Sequence, residues 1–176
     1  MSNEDYKYLL DTDVFVRICE LKERQKIFDR IIIMARAGRV NTIRQVFGEL
    51  KKWPIALDML KPHRSIFEVK QKDQYTPEVQ AVIDELGNNA RWLWEQTGTG
   101  NPDPADPWLI GVAKVLGYTV VTNEGQRKEK RIPAACRFPT IGCRCITGPH
   151  FLVEVGIVQV IKPEWIDTDA FFKKGD

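Results

Sequence analysis

Two short apolar runs, far apart in the chain, both end in acidic residues. Residues 6–10, Tyr-Lys-Tyr-Leu-Leu, lead into Asp11-Thr12-Asp13, and residues 118–122, Tyr-Thr-Val-Val-Thr, lead into Asn123-Glu124. Runs this short, bounded by polar residues, read as strands. The sequence between them is helical in pattern. Residues 22–37 carry Ile27, Ile31, Met34 and Ala35 on one stripe and stop at Gly38, and Val40 predicts a short second strand. Asp13 is placed to cap a helix beginning at Val14. Thr42 offers an N-cap for a helix over 43–53, stopped by Pro54. Residues 55–75 show no clear period. Thr76-Pro77-Glu78 opens a helix to Leu86, with a break at 87–89 before a segment over 90–96. Residues 97–102 read as a loop. Asp106-Pro107 opens an apolar helix to Leu116, closed by Gly117, and short apolar runs recur at 151–155 and 157–161. Strands alternating with helices specify an α/β fold. In an open parallel sheet, function sits beyond the C-terminal ends of strands, where Asp11, Asn123 and Glu124 fall.

Composition bounds the rest. The chain has 176 residues, 43% hydrophobic and 28% charged, which suits one globular domain. The pattern gives a single domain over 1–176, with a core of about 6–125 and a C-terminal extension over 126–176. The apolar runs are far short of a membrane span, and the acidic N-terminus has no secretory signal, so a cytoplasmic protein with no membrane partner is expected. A net charge of +2 favours no partner class. Its distribution is more telling: Arg127, Lys128, Lys130 and Arg131, followed by Arg137 and Arg144, form a basic stretch suited to a nucleic-acid backbone or to a solvated face. Trp92, Trp94 and Trp108 suit either base stacking or a core. Cys136, Cys143, Cys145 and His150 follow a C-x6-C-x-C-x4-H spacing. They are four candidate zinc ligands without the paired knuckles of structural zinc sites, and buried free thiols are the alternative.

The acids carry more chemistry. In the helix over 43–53, Ile43, Val46, Phe47, Leu50 and Trp53 share a stripe, and Glu49 lies at its flank, roughly 40° from Trp53 and 60° from Val46. In the helix from Asp106, that carboxylate projects within about 20° of Ala113 on the buried face, where it needs a partner. The backbone of an N-cap is one such partner. Taken together, Asp11, Glu49, Asp106 and Glu124 are candidates to converge over one sheet edge. Carboxylates sharing a small volume need a counter-charge, and all-oxygen ligation suits Mg²⁺ or Mn²⁺. Such an ion activates water and stabilises charge on a phosphoryl group.

Four blocks, in order, resemble the PIN (PilT N-terminus) domain nucleases, notably the VapC-like and PIN-like toxins. They are Leu9-Leu10-Asp11-Thr12, Thr42-Ile43 with Glu49-Leu50, Asp106-Pro107-Trp108-Leu109-Ile110-Gly111-Val112-Ala113, and Val120-Val121-Thr122-Asn123-Glu124. The resemblance implies a three-layer fold, a central mainly parallel sheet flanked by helices. It implies Asp11, Glu49 and Asp106 as metal-binding catalytic acids, with Glu124 where the family commonly has Asp. Asp13 and Asp103 are further acids for the metal site, and Thr12 and Asn123 are substrate contacts beside them. The implied activity is metal-dependent endoribonuclease cleavage of RNA, leaving a 5′-phosphate and a 3′-hydroxyl. A cognate antitoxin protein and a homodimer are the implied partners. The tail is longer than in a minimal PIN domain, and residues 132–136 look like a feature of a PIN-like subgroup.

Two other readings stay open. Asp11-Thr12-Asp13-Val14 also resembles the opening motif of haloacid-dehalogenase-like phosphatases, with Phe15 in place of the usual Thr. A PIN-like scaffold that binds partners without turnover is the other, since fold does not fix function.

Overall fold

In the computed structural model, residues 6–95 and 103–157 are described. The loop expected at 97–102 and most of the apolar run at 157–161 lie outside them. The fold is α/β, as expected, with a four-stranded sheet in the order β2-β1-β3-β4 flanked by helices. The strands are β1 (Tyr8–Leu10), β2 (Val40–Asn41), β3 (Thr119–Val121) and β4 (Cys145–Ile146), and every pairing is parallel. The register sets Tyr8 beside both Val40 and Thr119, and Val121 beside Ile146. β1 and β3 are buried at every residue, which is why they read as apolar runs without alternation.

The helices are α1 (Thr12–Glu20), α2 (Arg24–Arg36), α3 (Arg44–Glu49), α4 (Pro54–Leu60), α5 (Arg64–Phe67), α6 (Gln71–Gln74), α7 (Pro77–Asn89), α8 (Trp92–Glu95), α9 (Ala105–Leu116), α10 (Ile132–Cys136) and α11 (Gly148–Glu154). Thr76 caps α7 through the Val79 N–H, at 3.2 Å, as its sequence suggests. Gly117 ends α9 at φ +72°, a conformation that suits glycine. Gly111 lets α9 lie close against α7: a Cβ there would stand 3.2 Å from Ile83 Cγ1 and 3.3 Å from Val79 Cγ1.

Several local expectations are corrected. Asp11, not Asp13, caps α1, because the chain turns helical immediately after β1 and the Thr12 N–H meets Asp11 Oδ1 at 2.7 Å. Thr42 caps nothing. Its hydroxyl donates to the Leu10 carbonyl at 2.7 Å, and its backbone bonds Phe67 and Val69, so α3 begins only at Arg44. The helical run from α3 stops before Pro54, as expected, ending in a 3-10 turn over Leu50–Lys52, and Pro54 itself then starts α4, since proline suits a first helical position. Residues 87–89 do not break α7. Leu86 is fully buried, and packing of α7 along α9 outweighs the roughly 1 kcal/mol cost of one interior glycine.

The extension is part of the body. It supplies β4, and Ile132, Ala135, Cys136, Ile141, Phe151 and Leu152 join the same core as β1. The Phe151 ring meets Tyr8 edge-on at 5.0 Å. Among the described residues no helix is long and apolar enough to cross a membrane.

Candidate functional site

All four strands point their C-terminal ends to one edge, and a threonine follows each of β2, β3 and β4 there. Thr42 ties β2 to the end of β1. Thr122 donates to Asp11 Oδ2 at 2.9 Å. Thr147 accepts from the His150 N–H at 3.3 Å and starts α11. The polar ends are thus braced, and the acids stand on a rigid rim.

Asp11 is buried, with one oxygen on Thr12 N and the other on Thr122. Burial pushes its pKa well up, and the charges of Asp13, Asp106, Glu49 and Glu124 push it further. Asp13, in the first turn of α1, accepts the Asn123 N–H with both oxygens, at 3.2 and 3.1 Å. Its pKa is raised to about 7, by burial first and then by Glu124, against the Asn123 N–H, Arg17 and a hydrogen bond with Asp11.

Glu49 projects from the end of α3. Oε2 accepts the Thr12 hydroxyl at 2.5 Å, and Oε1 accepts the Ala105 N–H at 3.0 Å. A side chain distant in sequence therefore does the capping that Asp106-Pro107 suggested for itself: α9 begins at Ala105, and Asp106 lies inside its first turn. The Asp106 pKa is well raised, by burial, then Glu124, Glu49 and Asp13, with Arg131 opposing. Glu124 accepts the Ile132 N–H at 2.7 Å and pairs with Arg131 at 3.3 Å.

Five carboxylates from four separate stretches of chain thus feel one another at one edge. The other sequence candidates fall around them. Thr12 is buried, with its hydroxyl committed to Glu49, so it braces the acids instead of presenting an exposed contact. Asn123 is buried; its Oδ1 accepts the Gly148 N–H at 3.0 Å, and among the described residues its Nδ2 has no partner. Asp103 stands apart from the set, accepting from Gln45 Nε2 at 3.0 Å and Trp108 Nε1 at 2.5 Å. Arg131 reaches the acids, while Arg127, Lys128 and Lys130 are exposed on the segment before it, where Lys130 turns at φ +58°. Trp92, Trp94 and Trp108 are partly buried against the core.

The cysteines also gather. Cys136 is hydrogen-bonded to Cys143 and Cys145, which with burial holds its proton and raises its pKa well above a free thiol's. The Cys143 pKa is lowered by the same bond with Cys136. His150 is exposed, and its backbone N–H is what the capping of α11 uses. Among the described residues no group of three or more His, Cys, Asp or Glu side chains is arranged to hold a metal ion. For the acids the reason is visible: Asp11, Asp13, Glu49 and Glu124 turn their oxygens to N–H and O–H donors of the chain itself. Their chemistry nonetheless suits a hard divalent cation, being all oxygen, acidic and mutually repelling.

The acids that gather at this edge were legible one by one. Two features were not: the cap of α9 by Glu49, and the role of Ile132 as partner to Glu124. Both join residues without any local pattern linking them. Comparisons with curated proteins and with solved structures give no match. Over residues 8–157 the chain matches the family described as Domain of unknown function (DUF4411), and it belongs to that family.

Proposed function

We propose that this protein is a metal-dependent endoribonuclease of the PIN type, hydrolysing RNA phosphodiesters. One observation carries the reading: Asp11, Asp13, Glu49, Asp106 and Glu124 lie within electrostatic reach of one another beyond the strand ends, where burial and mutual repulsion push the Asp11 and Asp106 pKa values up. An acidic rim of that kind is unfavourable for a phosphodiester unless a cation intervenes. Asp11, Glu49, Asp106 and Glu124 would hold Mg²⁺ or Mn²⁺, with Asp13 behind them. The ion, when bound, supplies an activated water and charge neutralisation at phosphorus.

The chain's own groups do the rest. Thr122 and the Thr12 N–H hold Asp11 in one orientation. The Thr12 hydroxyl and the Ala105 N–H do the same for Glu49. Arg131 places a cation beside Glu124 and Asp106, where it can offset a bound phosphate. A cognate antitoxin and a second copy of the chain are partners in this reading by resemblance.

The test is cleavage of a 5′-labelled single-stranded RNA. Cutting with Mn²⁺, its loss in EDTA, and its loss in Asp106→Asn and Glu49→Gln are expected. Persistent cutting in both variants overturns the reading. A second reading, a binding scaffold without turnover, is favoured by the engagement of four of the acids with donors of the chain, and it predicts no cleavage with any divalent metal. A phosphatase using Asp11 as nucleophile is disfavoured, since both its oxygens are already hydrogen-bonded. It would be recognised by hydrolysis of small phosphomonoesters.

A further inference from the structure

A cleft of about 400 Å³ opens beside the acidic rim, its walls including Arg44, Gln45, Glu49, Lys51, Lys52 and Asp103. Glu49 belongs to both the rim and the cleft. Arg44, Lys51 and Lys52 are exposed, and among the described residues none of them forms an ion pair. The two carboxylates in the walls are satisfied otherwise, Glu49 by Thr12 and Ala105 and Asp103 by Gln45 and Trp108. The cations are therefore available to a ligand. The cleft is also joined to an exposed aromatic ring. Gln45 Nε2 donates to the Tyr75 hydroxyl at 3.3 Å, and Tyr75 meets Trp108 edge-on at 4.9 Å with 43% of its surface exposed.

We propose that this cleft binds single-stranded RNA, with phosphates on Arg44, Lys51 and Lys52 and a base against Tyr75. The proposal rests on the nuclease reading and names the path by which a strand reaches the acids. Cations set off from an acidic centre supply the backbone attraction that the centre cannot, and an exposed ring accepts any base face. The basic stretch around Lys128 is the competing location.

The experiment is fluorescence anisotropy with a 5′-fluorescein 12-nucleotide oligo(U), in EDTA so that nothing is cut. R44A/K51A/K52A is expected to bind at least tenfold more weakly, with the slope of log affinity against log salt reduced by about 2. Tyr75→Leu is expected to weaken binding several-fold, and a duplex of equal length to bind less well than the single strand. Wild-type affinity in the triple variant overturns the proposal, and so does a loss confined to R127A/K128A/K130A. Equal affinity for the duplex overturns it too. The two readings fail separately. Binding through the cleft without cleavage in Mn²⁺ ends the nuclease and leaves the cleft. Cleavage by the triple variant at the wild-type KM does the reverse. The three substituted side chains are exposed, and matching thermal melts confirm that the variants are folded.

Discussion

The Glu49 carboxylate closes the first turn of the helix that carries Asp106, its Oε1 accepting the Ala105 N–H at 3.0 Å. One acid of the rim thereby sets the position of another. Glu49→Ala removes that acceptor and leaves the Thr12 hydroxyl without its partner. A loss of about 1–2 kcal/mol in urea unfolding is expected. Glu49→Gln keeps an acceptor and sheds a charge, so it stays within about 0.5 kcal/mol of the parent.

Thr122 is fully buried and donates to a buried acid. Thr122→Val keeps the shape but removes the donor, leaving Asp11 Oδ2 without it. The expected cost is about 1–3 kcal/mol, read from the shift in denaturation midpoint at constant slope. Thr122→Ser, which retains the hydroxyl, separates the hydrogen bond from packing.

The raised acids fix the sign of the pH dependence. Asp13 titrates near 7 in the fold, and Asp11 and Asp106 are pushed well above the ordinary range, chiefly by burial. Unfolded aspartates titrate near 3.9, so between about pH 4 and 7 the native chain holds protons that the unfolded chain has released. This contribution is fully present below about pH 4 and is lost as pH rises through the folded pKa values. Metal-free protein is therefore expected to melt higher at pH 5 than at pH 8. Each excess proton changes stability by about 1.4 kcal/mol per pH unit in that window. A melting temperature that rises from pH 5 to 8 in EDTA contradicts this.

Divalent metal should reverse the trend. At pH 8, Mn²⁺ at a hundredfold its Kd is expected to stabilise the parent by about 2.7 kcal/mol. Asp106→Asn relieves repulsion, so this variant should melt above the parent without metal and gain little from its addition. Calorimetry showing equal Mn²⁺ binding by parent and variant removes Asp106 from the ion's environment.

Much of the fold was readable because buried parallel strands cannot disguise themselves. Residues 8–10 and 119–121 are buried on both faces and mostly apolar, and the polar residues that follow mark where the sheet ends. β4 was hidden, because Cys145 and Ile146 form a two-residue strand, too short for any period. The acids were legible by type and by position at strand ends. Their orientations were not, since Asp13 is held by an N–H 110 residues away and Glu49 by one 56 residues away. Asp103 shows the converse. It lies close to Asp106 in sequence, yet hydrogen bonds from Gln45 and Trp108 draw it to the neighbouring cleft.

Glu124 binds the chain that follows it as well as facing the other acids, for it holds both the Ile132 amide and the Arg131 guanidinium. Its oxygens cannot serve a newcomer at full strength and keep both of those grips. Whatever occupies the rim must bargain with the seven residues between Glu124 and Ile132. That short span is thereby made a messenger, carrying news of the acidic edge to α10 and to the cysteines beyond.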